Sequence, residues 1–600
     1  MKKITLMILT MLIALNSYSQ VKPPLGGSPK VVIGKIGKHA NTKWFTKGPY
    51  DTVANKANIK NTRANTPVLG NAFVNTPVNY PEPMDNSIAI SKSEYIVSVT
   101  NSGITYADIN GNTFSGTPTN WATWLNDPIL FPTADFFDPR VLYDPVEDKF
   151  IVILLYERLS SNNPQIVIAV SVDGNPSNGF FVTTISGPGP GYWYDFPYLG
   201  QSDKDLFISV SQIPDNQNAS IGTDIIQLEK TELYLNQNLN FVVYDDVTDF
   251  YNNNNIHICP STHGSRDFNG TPIAYDVQGF YLVSNYNGTA ATASFSIYDV
   301  VYDISPGFTP TLNIYGQNSN IYVGNAVPSP QKGSTESLNS NDSRVQSSFY
   351  LNKWMHIVFS ARESAASGVA TVYYARLNLG LGLYDITKIP TDIINGNATW
   401  QCYPSVCFMG ANINDKTVYI NYLYSSEEFF PGMRLVEIDD MLNISNTVDT
   451  KLGADYIDYN NGTSNRWGDY TGIQRVYQYN SCPKAVFNGS FGYTNHKYNE
   501  FIAENFCWPN NINEVSTEKG ITLFPNPFHT DISLDANIEY GNAELKVFDI
   551  TGRVVLSKQF FIHKGINALN LNLSHISSAQ LLIKIVNNNK TIYNEIINKY

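Results

Sequence analysis

From about residue 67 to 508, apolar residues come in short runs cut by turn-forming residues, and the runs keep no helical period. Residues 140–184 show the unit: "RVLY" (140–143), "KFIVILLY" (149–156), "QIVIAVS" (165–171) and "FFVTT" (180–184), separated by "DPVED", "SSNNP" and "DGNPSNG". Short runs rich in Val, Ile, Tyr and Phe between Asn, Asp, Gly and Pro clusters read as β-strands. Four antiparallel strands in about fifty residues make one blade of a β-propeller.

The unit recurs with drifting sequence. Comparable openings fall at Asp85 ("DNSIAIS"), Asp138, Asp195 ("DFPYLG"), near Thr271 ("TPIAYD"), at Ser343 ("SRVQSSFY"), at Tyr403 ("YPSVCFMG") and at Arg466 ("RWGDYTGI"). Most are spaced by roughly 50 to 75 residues, a period that signals a propeller or a solenoid. The strand content favours an all-β chain built on a large propeller spanning 67–508, with seven blades favoured and six or eight open. A propeller must close or leave exposed edges, and "VLGNAFV" (68–74) is placed to supply the outer strand of the last blade.

The flanks read differently. Lys2 and Lys3 precede an apolar stretch from Ile4 to Leu15, then Ser17-Tyr18-Ser19, the layout of a secretory signal peptide over 1–19 with cleavage between Ser19 and Gln20. Residues 20–66 are polar and irregular, an extended N-terminal arm. Residues 509–520 ("PNNINEVSTEKG" and its edges) have the composition of a linker. After Phe524-Pro525-Asn526-Pro527, alternation resumes through "DISL", "ELKVFDI", "VVLSKQF", "ALNLNL", "LLIKIV" and "TIYNEII", so 521–600 is expected to form a small Ig-like β-sandwich. Nothing after the signal approaches the ~18 consecutive apolar residues of a transmembrane helix.

These last residues resemble the type A C-terminal sorting domain of the type IX secretion system. The resemblance is carried by "FPNPF" (524–528), "VFDITGRVV" (547–555) with Asp549, Gly552 and Arg553 at its turn, "LNLNLS" (569–574) and "LLIKIVNNNKTIYNEII" (581–597). The chain departs from the family pattern at Gln580-Leu581-Leu582, where a Gly-x-Tyr is usual. The resemblance implies a folded export signal. The protein enters the periplasm of a Gram-negative bacterium, meets the type IX translocon and its sorting machinery, and crosses the outer membrane to be secreted or held at the cell surface. The propeller itself resembles sialidase-like secreted bacterial propellers in texture, including Ser171-Val172-Asp173-Gly174, which is similar to the start of an Asp-box with its glycine one position early.

Charge narrows the partners. The formal net charge is −13 and only 15% of residues are charged, which gives no electrostatic footprint for nucleic acid. Tyr and Phe number 38 and 31, as suits aromatic-rich strands. Five cysteines leave at least one unpaired. If "KAVFNGSFGY" (484–493) and "NEFIAE" (499–504) form a hairpin turning at Tyr493–His496, a register that sets Val486 opposite Ala503 also sets Cys482 opposite Cys507, within disulfide reach.

Candidate chemistry gathers at the blade openings, since strand starts in a propeller can converge on one mouth of its central channel. Asp138-Pro139-Arg140, Asp342-Ser343-Arg344 and Arg466-Trp467-Gly468-Asp469 offer arginines that could grip an acidic sugar or a peptide carboxylate. The alternative is that each arginine pairs with its neighbouring aspartate and locks adjacent blades. Arg140, Arg344, Arg466 and Asp469 are the ligand-binding candidates. Asp135, Asp138, Asp195, Asp342 and Asp469 are the acids among which a hydrolytic pair would be sought. His257, Cys259 and His263 fall short of the four donors of a structural zinc site, so neither a metal nor a cofactor is expected. Trp121, Trp124, Trp193 and Tyr194 can stack on sugars or pack a core. The expectation is a secreted or surface propeller that binds a glycan or a protein. A glycan-active hydrolase or lyase at the channel mouth and a structural surface-layer component are the alternatives.

Overall fold

A computed structural model describes two short strands of the N-terminal arm (31–33 and 38–39) and residues 64–599 with gaps, the longest at 263–278 and 506–520. The signal segment, residues 509–520 and the pair Cys482 and Cys507 lie outside the described residues.

Among the described residues, seven sheets of three to five strands follow one another up to residue 505, with a two-stranded ribbon at 393–398 between the fifth and sixth. Their strands fall within 87–108, 136–186, 192–244, 259–318, 345–388, 400–451 and 472–505, numbered here as blades 1 to 7. The first strand of each blade packs against the first strand of the next, and blade 7 returns to blade 1. Leu69–Asn75 supplies the outer strand of blade 7, antiparallel to Tyr498–Asn505, so the ring closes with a strand from the opposite end of the propeller. Blade 1 has three strands in its sheet. Its outer side is taken by single bridges from Thr113 and Thr119 and by the helix Trp121–Leu125.

Why the strands read as continuous apolar runs is clear from their neighbours. Phe150, Val152 and Leu154 face a core shared with blade 1, while Ile151, Ile153 and Leu155 face one shared with blade 3. A strand with both faces buried loses the polar alternation of a surface strand. Seven such inter-blade cores run around the ring.

Three details add to the expectations. The first described strand of blade 4 is Cys259–Pro260, which pairs with Gly279–Asn285, while the expected opening near Thr271 lies outside the described residues. Within the extended arm, Val31–Ile33 runs parallel to the outer strand of blade 2, and Lys38–His39 to that of blade 3. In the last hairpin Val486 faces Glu504, and Gly492 faces Tyr498. That is one residue from the register that set Cys482 opposite Cys507, and a one-residue slip moves side chains to opposite faces. The two cysteines themselves lie outside the described residues. Cys259, Cys402 and Cys407 are buried free thiols.

The C-terminal residues form two sheets. Ile521–Phe524, Asp531–Ala536 and Gly565–Asn570 make one, and Gly541–Phe548, Val554–Ile562, Ala579–Asn587 and Lys590–Lys599 the other. Alternate residues such as Ile532, Leu534, Leu545, Val547, Ile583 and Ile585 fill the core between them, which is the expected sandwich.

Candidate functional site

The blade openings share a local device. In blades 2, 3 and 6 the residue before a proline has left-handed backbone: Asp138 (φ 51°), Phe196 (φ 48°) and Tyr403 (φ 53°). Each lies where the register of its strand breaks. Proline cannot donate to the ladder, and a bulge re-aims the side chains around it. Asp85 (φ 54°) and Gly468 (φ 157°) hold comparable places in blades 1 and 7. These kinks turn side chains from several blades towards one mouth of the channel.

Some of the acids so gathered tie blade to blade. Asp85 Oδ1 accepts from the backbone N–H of Asp469 in blade 7 at 2.7 Å, and its Oδ2 accepts from Asn101 Nδ2 at 2.6 Å. Asn101 Oδ1 accepts from the N–H of Asp138 (2.6 Å), and Asp138 Oδ2 from the N–H of Phe196 in blade 3 (3.0 Å). A chain of hydrogen bonds thus joins blades 7, 1, 2 and 3.

Above it lies a polar cavity of about 300 Å³ lined by Asp195, His257, Asp342, Arg344, Arg466 and Asp469, with Asn339, Asn341 and Ser220 at its sides. Arg344 holds Asp342 in a two-point pair, Nε to Oδ1 and Nη2 to Oδ2, each 2.7 Å, and its guanidinium lies 4.2 Å from the ring centroid of Phe196. Arg466 pairs with Asp469 through Nη2. Two of the three candidate arginines therefore meet in one cavity, each committed to its neighbouring aspartate. Arg140 does not join them. Its Nε donates to Pro197 O (2.9 Å), its guanidinium stands over the Tyr470 ring, and it faces the channel below.

Electrostatics divides the acids. Burial, then the charge of Asp469, raises Asp85 to about 7 against the opposing pull of Arg466 and of its own hydrogen bonds. Burial and the neighbouring carboxylates Asp195 and Asp85 raise Asp138, and burial and Asp469 raise Asp195. Burial would also raise Asp342, but the charge and hydrogen bonds of Arg344 outweigh it and hold Asp342 well below the usual carboxylate range. His257, whose Nδ1 lies 3.0 Å from Ser211 Oγ, is lowered to about 3 by burial and then by Arg344, so it is neutral at physiological pH.

A raised carboxyl gives stability that is complete below its unfolded value near 3.9 and lost as pH rises through its folded value. The thermal midpoint should therefore fall between about pH 4 and 8. Asp85→Asn should flatten that slope while keeping the left-handed backbone that asparagine tolerates. Midpoints measured from pH 5 to 8 with equal slopes in both proteins would refute this account of Asp85.

The remaining candidates are elsewhere. Asp135 is a half-buried partner of Arg158. Trp121 and Trp124 pack the core between blades 1 and 2, with their indole N–H groups on Thr100 O and the Tyr106 hydroxyl. Tyr194 is buried and donates to Asp224 Oδ2 (2.7 Å), and Trp193 packs beside Phe137. None of these four lines the mouth cavity. Cys259 is buried with its thiol turned towards Pro260 O. His263 lies outside the described residues, and among those described no three His, Cys, Asp or Glu side chains cluster as metal ligands. The part played by Asp85 and Asn101 in tying the mouth together escaped the sequence reading. The signal was present in the Asp-x-Ser and Asp-Pro openings, but the hydrogen-bond partners are distant in sequence.

Comparison with known proteins gives distant likenesses for the propeller. An alpha-L-arabinanase of Penicillium chrysogenum is 11% identical (TM-score 0.35, 73% of this chain, 98% of that one). A sialidase of Trypanosoma rangeli is 8% identical (TM-score 0.34, 88% and 89%). An alpha-L-arabinofuranosidase of Fusarium graminearum is 10% identical (TM-score 0.32, 73% and 98%). No curated protein matches the chain. In the sorting region Phe524 is part-exposed at the end of its strand and Asp549 follows its own, while Pro525, Asn526, Pro527, Gly552 and Arg553 lie outside the described residues. Residues 522–599 match the family described as the secretion system C-terminal sorting domain, and the chain is accordingly a secreted or cell-surface protein exported by the type IX system of a Gram-negative bacterium.

Proposed function

We propose that the propeller is a binding module for a hydroxyl-rich, uncharged glycan, held at the mouth cavity by Asp195, Asp342, Arg344, Arg466 and Asp469. The observation that carries this reading is the commitment of both mouth arginines to local carboxylates. With Asp342 and Asp469 balancing Arg344 and Arg466, Asp195 is left as surplus acid, which disfavours an anionic ligand. Sugar hydroxyls suit such a surface because each donates to a carboxylate and accepts from a guanidinium. The cavity has the volume of a small ligand site, and export to the outer surface brings it to polysaccharide. The pairing expected to lock blades and the pairing that shapes the pocket are here the same contacts.

One observation favours hydrolysis as a second reading. Asp195 is held up and Asp342 held down in one cavity, the separation that divides an acid from a base. The test is a panel of neutral and acidic glycans incubated with the secreted protein, following both its retention and the release of reducing ends. Retention on a neutral glycan, weakened ~10-fold by Arg344→Ala through loss of a charged hydrogen-bonding group, is expected. Release of reducing ends that vanishes in Asp195→Asn would install the hydrolase instead. Neither retention nor release on any glycan removes both readings.

A further inference from the structure

Below the mouth, the channel between the seven inner strands is a second cavity, of about 200 Å³, to which every blade contributes. Its charged lining has one sign. Arg140 from blade 2 and Arg475 from blade 7 reach it, and among the described residues no aspartate or glutamate does. Arg475 donates to Gly410 O (3.3 Å) and lies over the ring of Phe408. Arg140 is less provided for. It is 8% exposed, its Nε is used by Pro197 O, and its buried Nη2 has no hydrogen-bond partner. Among the described residues no carboxylate lies within ion-pair distance of it, because Asp138, two positions earlier, is turned to the N–H of Phe196. Across the same cavity Gln346, 5% exposed, has a buried Oε1 without a partner.

A buried guanidinium without a counter-charge is strongly unfavourable. The rings of Tyr470 and Tyr198, with centroids 3.2 and 5.2 Å from its Cζ, offset part of that through cation–π attraction, but they leave the free N–H donors unsatisfied. We propose that the channel holds a small oxyanion, of the phosphate, sulfate or carboxylate type, bound at Arg140. The planar fork of arginine fits such an anion. The Gln346 amide, whose oxygen and nitrogen can exchange places, offers a second donor. The cavity has room for roughly six waters, or an oxyanion and a few of them. Such an ion sits among inner strands of several blades and supplies the negative charge that the channel wall lacks. It is independent of what the mouth binds.

Calorimetric titration of the full mature chain, in buffer free of oxyanions, with sulfate, phosphate and acetate in separate arms is the direct test, and the arms distinguish an inorganic ion from a carboxylate end. Saturable binding of at least one is expected, weakened ~10-fold or more in Arg140→Met by loss of a charge-assisted hydrogen bond and unchanged in Arg344→Met. No saturable binding in the wild type overturns the proposal, as does equal binding by Arg140→Met. Loss in Arg344→Met alone moves the anion to the mouth and also overturns it. Should Arg140→Met not fold, crystals of the wild type soaked in selenate decide: an anomalous peak beside Arg140 supports the site, and its absence there refutes it.

Discussion

Glu500→Ala should cost about 3–5 kcal/mol of stability, the range found when one partner of a buried charged network is removed. Glu500 lies in the strand Tyr498–Asn505 that receives the closing strand, and it is fully buried. Its Oε1 accepts from Asn86 Nδ2 (3.2 Å), Asn488 Nδ2 (2.7 Å) and Ser98 Oγ, and its Oε2 from Asn75 Nδ2 (2.6 Å). Asn75 belongs to the strand from the propeller's start, Asn86 and Ser98 to blade 1, and Asn488 to blade 7. One carboxylate therefore joins the three pieces that meet where the ring closes. Removing it strands up to four buried donors, each unfavourable by about 1–3 kcal/mol when left without a partner. Asn75→Ala, which removes one donor, should cost only about 1 kcal/mol. Denaturant unfolding read by tryptophan fluorescence would rank the two, and limited proteolysis would show whether 69–75 detaches first. A Glu500→Ala protein as stable as Asn75→Ala would mean that the ring is held by its ladder and apolar cores alone.

How much of this was legible in the sequence depends on the range of the interaction. Blades were readable because each needs only local information: apolar runs such as "KFIVILLY", turn residues between them, and a repeat of the whole. Closure by 69–75 was readable because a ring without it leaves edges and the run "VLGNAFV" lies just before the first blade. The export module was readable through its resemblance to a sorting family, with the strand alternation that matches its seven strands. The strand Cys259–Pro260 of blade 4 went unread because two residues are too short for a pattern to register. The last hairpin slipped by one residue because a turn of several residues can seat its strands in neighbouring registers that share the same apolar runs.

The mouth was half legible. Acid and arginine at neighbouring positions pointed to Arg344 with Asp342 and Arg466 with Asp469, because those pairs form within two or three residues. Arg140 was grouped with them on the same pattern, yet it turns into the channel. The bulge at Asp138 and the proline after it decide that, together with the ring of Tyr470 from a blade more than three hundred residues away. Long-range contacts of this kind leave no trace in local spacing. The same holds for the tryptophans, whose burial depends on which blade lies next to them.

A second large effect follows from the one deeply buried lysine pair described between blades. Lys230→Met should also cost about 3–5 kcal/mol at neutral pH. Lys230 Nζ lies 2.7 Å from Asp144 Oδ2 and 2.9 Å from Ser202 O, and the Tyr234 hydroxyl donates to the same carboxylate oxygen at 2.8 Å. Asp144 ends the inner strand of blade 2, and Lys230 begins the helix Lys230–Tyr234 of blade 3, so the pair fixes how the two blades meet. Burial would raise the Asp144 carboxyl, but the charge of Lys230, its hydrogen bond and that of Tyr234 outweigh burial and lower it. A lowered carboxyl contributes stability above its unfolded value near 3.9 and loses it as pH falls through the folded value. The penalty of Lys230→Met should therefore shrink in acid, where Asp144 takes up a proton and no longer needs a cation. Combining it with Asp144→Asn should recover most of the loss at neutral pH, because replacing both members of a buried pair removes the stranded charge, while the asparagine oxygen still accepts from the N–H of Val146 (2.8 Å in the native chain). Unfolding midpoints of the single and double variants at pH 7 and pH 4 separate the cases: a penalty that is the same at both pH values, and unrelieved in the double variant, would mean that the lysine stem packs the blade junction and its charge does not hold it.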